Sequence, residues 1–227
     1  MGRKIAVALG ALVVLAALGF LATRIYASMQ TGDDVPAPAV GSSAPAATAD
    51  VADLDGDWTV AGGSEAGYRV DEVLSGQDVT VVGRTEEVTG SGTVADGELT
   101  AATVEVDLAS ITTDESARDG QFQGILDTRT FPTATFQLTD PVDVAAVADG
   151  ETVTVDAPGS MTIKDVTRDV TAGLEIRLVG GDGGDVVAEL AATVPVTFAD
   201  YGVEAPDLGF VTVEDTGFVE AELTLSR

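Results

Sequence analysis

The sequence predicts an all-β domain preceded by one apolar helix and a Pro-rich linker. Three observations carry this. Several runs alternate strictly between apolar and polar residues, turn residues recur between those runs, and one unbroken apolar stretch lies close to the N-terminus. Thr and Val are abundant outside that stretch, and both β-branched residues suit a pleated surface better than a helix.

The alternation gives each strand one dry face and one wet face. Ala102, Val104, Val106 and Leu108 share a face, opposed by Thr103, Glu105 and Asp107. Ala134, Phe136 and Leu138 oppose Thr133, Thr135, Gln137 and Thr139. Met161 and Ile163 oppose Thr162 and Lys164; Leu174, Ile176 and Leu178 oppose Glu175 and Arg177. Val219, Ala221, Leu223 and Leu225 oppose Glu220, Glu222 and Thr224. Turn signals at Ala95-Asp96-Gly97, Ala148-Asp149-Gly150 and Gly180 to Gly184 separate such runs and imply an antiparallel meander. One short helix is predicted over Asp114–Leu126, weakened by Gly120 and Gly124. About eight strands with a single dry face leave two architectures, a closed barrel or a two-sheet sandwich. The dry face is rich in Ala and Val. Small inward residues leave space in a barrel, which favours a cavity, although they would equally let two sheets approach closely.

Residues 1–27 read as a signal anchor or a secretory signal peptide. Arg3 and Lys4 precede Ile5 to Ala22, every residue of which is apolar or Gly. As a helix that run extends about 27 Å, close to the hydrocarbon thickness of a bilayer. Its length favours the anchor, while Ala27 offers a cleavage position. Either way the basic residues stay cytoplasmic and the rest crosses, which places the domain at the cell membrane on its extracytoplasmic side, or secreted after cleavage. Residues 28–53, with Pro36, Pro38 and Pro45 among Ala, Ser, Gly and Asp, read as a semi-extended linker holding the domain off the membrane. The β domain is expected over 54–227.

The formal net charge is −27. Such a surface repels phosphate backbones, so no nucleic-acid partner is expected, and lipid contact must come through apolar surface or a cavity. The chain contains no Cys and no His. That removes a Ser-His-Asp triad, a Cys nucleophile, a Cys/His zinc site and haem ligation by either residue. Paired carboxylates could cleave glycosidic bonds, but so many acids make a chance pair certain. The GGDGGD run at Gly180 to Asp185 is similar to a fragment of a calcium-binding repeat; a single copy builds no site, and a hairpin loop is expected there. No catalytic residue, metal site or cofactor is predicted.

Several longer segments resemble the YceI family. They are SITTDESARDGQFQGILDTRTFPTATFQLT from Ser110 to Thr139 and GSMTIKDVTRDVT from Gly159 to Thr171. The opening WTVAGGSEAGYRVDEVL and the FADYG stretch at Phe198 to Gly202 join them. The most specific features are the Asp114, Arg118, Asp119 spacing, then Phe131-Pro132-Thr133-Ala134 before a strand, then the Thr-Ile-Lys-x-Val-Thr-Arg hairpin. The resemblance implies an extended eight-stranded antiparallel barrel similar to lipocalins, with a short helix near its mouth and a polyisoprenoid lipid in its lumen. It adds an exported location, in agreement with the N-terminal segment. Relatives often carry a His where Glu72 stands here, which puts the family's head group in doubt.

The expected lumen residues are Tyr68, Val70, Val104, Val106, Phe122, Phe131, Phe136, Met161, Ile163, Val196 and Phe198. Glu72, Arg118, Lys164 and Arg168 are candidates for a mouth or head-group site. The expected partners are an isoprenoid lipid or isoprenoid quinone, and the cytoplasmic membrane through the N-terminal helix. The alternative is that the same apolar residues pack on one another, making a filled barrel that serves as an extracytoplasmic interaction module.

Overall fold

The structure, a computed structural model, describes residues 35–41, 45–181, 185–207, 209 and 211–227. The expected anchor, the first part of the linker and the centre of the GGDGGD run lie outside the described residues. No described helix is long and apolar enough to cross a membrane.

The strands are β1 (Gly56–Val60), β2 (Glu65–Leu74), β3 (Gln77–Thr85), β4 (Val88–Ala95) and β5 (Glu98–Asp107). A helix, α1 (Ser116–Leu126), precedes β6 (Thr133–Leu138) and the two-residue β7 (Val142–Asp143). The long strands β8 (Val153–Ile163), β9 (Val166–Gly180), β10 (Val186–Thr197) and β11 (Val211–Ser226) complete the chain. Every pairing between them is antiparallel.

Eight of these strands close a barrel in the order β1-β4-β5-β6-β8-β9-β10-β11. β1 makes the closure, because Gly56–Thr59 pair with β4 while Thr59 and Val60 pair with the end of β11. β11 is long enough to serve two neighbours. Beyond its contact with β1 it pairs with β2, and β2 pairs with β3. Arg84 of β3 then bridges Thr112 through two hydrogen bonds of 3.0 Å. The β2–β3 hairpin therefore takes over the wall where β1 ends. Closure leaves no exposed edge around the ring, which antiparallel sheets otherwise present to solvent.

The turns follow local chemistry. Asp96-Gly97 joins β4 to β5 with φ of 54° and 79°. A positive φ at both central residues matches the right-handed twist of the flanking strands, and Asp-Gly supplies it at little steric cost. α1 ends at Asp127, a left-handed residue whose N–H caps Gln123 and Gly124.

The dry faces expected from alternation all turn inward. Ala102, Val104, Phe136, Leu174, Ile176, Leu178, Ala221 and Leu223 line one continuous interior. The last part of the linker lies against the barrel rather than clear of it. Ala47 and Ala49 donate to Leu178 and Ala148 carbonyls, and Leu54 is buried in the core. Farther back, the Pro36 carbonyl accepts from Arg69. Arg69 and Arg84 both pair with Glu220, whose side chain is 1% exposed.

Candidate ligand-binding lumen

Among the described residues, two adjoining cavities lie in the interior. One, of about 170 Å³, occupies the end near β1. The other, of about 370 Å³, lies beneath α1 and the β2–β3 hairpin. Val106, Ala134 and Val219 line both, so the cavities meet there. The space exists because small residues stand where a packed core would use large ones: Gly92, Ala66, Ala102, Ala157, Ala172 and Ala192 all line the first cavity. Val104, Val106 and Phe136 are only half-buried although their strands place them inside the barrel. Their accessible surface faces the hollow.

The narrow end is sealed. Leu54, Trp58, Val144 and Val147 close it, and all four are buried. The Trp58 indole N–H donates to the Leu54 carbonyl at 2.9 Å. The Arg227 guanidinium lies over the Trp58 ring, 5.3 Å from its centroid.

The wide end is mainly apolar with a few charged side chains, and α1 covers it. Ala117, Arg118, Gln121, Phe122, Ile125 and Leu126 of the helix line it. Phe122 stacks on Tyr68 with ring centroids 4.8 Å apart and planes 10° from parallel. Gly83 makes room for that ring, since a Cβ there would lie 2.5 Å from Tyr68 Cε1. Glu72, on the lumen face of β2, accepts from Arg118 Nη2 at 3.2 Å, while Arg118 Nη1 donates to Asp114 at 2.7 Å. Burial pushes the Tyr68 phenol up to about 12; Arg118 opposes this, and Asp119, Glu72 and Asp114 add to it. Burial also raises Tyr201, against the pull of Arg168. Its hydroxyl is buried with no hydrogen-bond partner.

The expected lumen residues fall into place as follows. Val104, Phe136 and Met161 line the narrow cavity, and Val106 lines both. Tyr68, Val70, Phe122, Ile163, Val196 and Phe198 line the wide one, with Glu72 and Arg118 among them. Phe131 lines neither. Its N–H donates to the Asp127 carbonyl in the turn after α1, before the strand alternation of β6 begins. Lys164 and Arg168 also stand outside both linings. Lys164 sits in the β8–β9 turn with φ 58°, its ammonium 3.5 Å from the Ile125 carbonyl. Arg168 is exposed and donates to the Thr167 carbonyl.

Sequence reasoning missed the seal of Leu54 and Trp58, and Tyr201 at the wide end. The FADYG motif contained the last signal, and Trp58, the one tryptophan, marked the first. No group of acidic side chains able to hold a metal ion occurs among the described residues.

A YceI-like domain model matches residues 58–225. The chain belongs to the YceI family. Among solved structures, the YceI-like domain is similar to a polyisoprenoid binding domain from Saccharophagus degradans. The two share 22% identity and a TM-score of 0.59 over 74% of this chain and 97% of that one. It is also similar to BcnA of Burkholderia cenocepacia, with 16% identity and a TM-score of 0.50 over 70% of this chain and 96% of that one. These likenesses show the fold. No curated protein matches the chain.

Proposed function

We propose that this YceI-like barrel binds a long apolar ligand, an isoprenoid lipid, with its tail in the narrow cavity and its polar end beneath α1. The observation that carries this is the hollow, apolar lumen, closed at one end by buried residues and adjoining at the other a larger, mainly apolar cavity that holds a few charged groups. Burial alone supplies affinity there, since each methylene removed from water contributes about 0.8 kcal/mol. The name of the Saccharophagus degradans neighbour, a polyisoprenoid binding domain, supports the same ligand class. The apolar run from Ile5 to Ala22 supports a location at the outer side of the cytoplasmic membrane, where such lipids are present.

Mass spectrometry of solvent extracts from the purified full chain tests this. A prenyl chain should be recovered in about molar proportion, and the stripped protein should take up an added prenyl alcohol. A bare protein that also refuses added prenyl chains would sink the reading.

A further inference from the structure

The wide cavity has a charge distribution that bears on the head group. Its charged lining residues are Arg69, Glu72, Glu115, Arg118 and Glu204. Both arginines are already engaged. Arg69 donates to Glu220 and to the Pro36 carbonyl. Arg118 spends Nη1 on Asp114 and Nη2 on Glu72. The Glu72 side chain is only 7% exposed, and it projects from the lumen face of β2 between Val70 and Leu74. A carboxylate therefore stands inside the binding space.

A phosphate entering this chamber would shed water, approach that carboxylate, and compete with Glu72 and Asp114 for the Arg118 guanidinium. Burial of a charge without a partner is strongly unfavourable. A hydroxyl meets no such obstacle. It can donate to Glu72, and the Tyr68 phenol, protonated up to about pH 12, can donate to it in turn.

We infer that the wide chamber selects an uncharged, hydroxyl-bearing head group over a phosphate or diphosphate on the same tail, and that Glu72 sets this preference. The inference rests on the lipid-binding reading above. The general acidity of the protein also disfavours anions, but that effect acts through solvent and is screened by salt, whereas a buried carboxylate is screened much less.

Binding of a prenyl alcohol and of its diphosphate to the stripped full chain should therefore be compared in about 1 M salt, where the screening length is about 3 Å. The alcohol should bind at least about tenfold more tightly. Glu72→Gln should narrow that ratio several-fold, through tighter binding of the diphosphate. Arg118→Gln, which leaves Glu72 without its cation, should widen the ratio. Asp78→Asn, an exposed change outside the lumen lining, should leave it unaltered. Equal binding of the two ligands at high salt overturns the inference. So does a ratio indifferent to Glu72→Gln and Arg118→Gln. If neither ligand binds, the lipid-binding reading itself fails and takes this inference with it; a bound alcohol with no discrimination removes the inference alone.

Discussion

The two ends of the lumen are closed by different means. At the narrow end Leu54, Trp58, Val144 and Val147 interlock, all buried, with an indole hydrogen bond holding the plug to the backbone. At the wide end a helix whose only buried residue is Leu126 lies across the opening. It is held by the Tyr68–Phe122 stack, by the Arg118 ion pair to Glu72, by Gln123 donating to the Ala109 carbonyl, and by a small apolar cluster in which Leu126 and Ile125 pack with Leu108 and Ile111. The first closure belongs to the hydrophobic core, and opening it means exposing core. The second depends on a few side-chain contacts, and Gly120 and Gly124 lower the helix's own stability. On the proposed reading, a lipid would enter and leave at the wide end and lodge its tail at the narrow one.

Four experiments test the contrast between the two ends. The largest effect is expected from Trp58→Ala, which removes the plug and leaves a void in the core. It should cost about 3–5 kcal/mol in chemical denaturation. A cost near zero would mean that the narrow end is not part of the core. Next, Ala157→Trp places a large ring in the narrow cavity, at a residue that is 0% exposed. It should destabilise by about 1–3 kcal/mol and shorten the longest prenyl chain accepted, read from affinities across a chain-length series. An unchanged length limit would put the tail elsewhere.

The remaining two concern the wide end. Burial pushes the Tyr68 phenol in the folded protein up to about 12 from its ordinary 10.0. The folded value is raised, so the stability it contributes is complete below pH 10 and is lost as pH climbs from there to about 12. Denaturation measured across that window should show a fall that Tyr68→Phe reduces. A wild-type fall that the variant leaves intact would place the titration on other groups. The smallest effect is expected from Phe122→Ala. It removes the Tyr68 stack beneath the helix, with about 0.5–1.5 kcal/mol from the aromatic pair itself and further loss from the apolar area exposed. Release of a bound prenyl alcohol should accelerate more than affinity falls. Slower release would show that α1 is not the moving part.

Much of the wall was legible because strand alternation reports directly on which face is dry. Val104, Val106, Phe136, Met161 and Ile163 were expected inside on that ground, and they line the cavities. Phe131 was not separable by the same reasoning, since an aromatic residue two places before a strand carries no periodicity. Lys164 and Arg168 flank a hairpin, and their charge suggested a head-group role that their positions outside both linings do not support. The count of about eight strands matched the closed ring. The β2–β3 hairpin and β7 were additional because a long β11 accommodates two neighbours, which no single strand pattern reveals.

From the amino-acid order alone came the all-β class, the inward set of residues on each strand, the absence of Cys and His chemistry, and an apolar N-terminal run of membrane-spanning length. Those features are local, written in periodicity and residue type. Whether the inward faces meet or enclose a hollow was decided only in three dimensions. The volume left inside a closed wall depends on strands far apart in sequence, where Ala66, Ala157, Ala172 and Ala192 come to line one cavity. The same distance separates Glu72 from Arg118, whose pairing across 46 residues fixes the charge of the wide chamber.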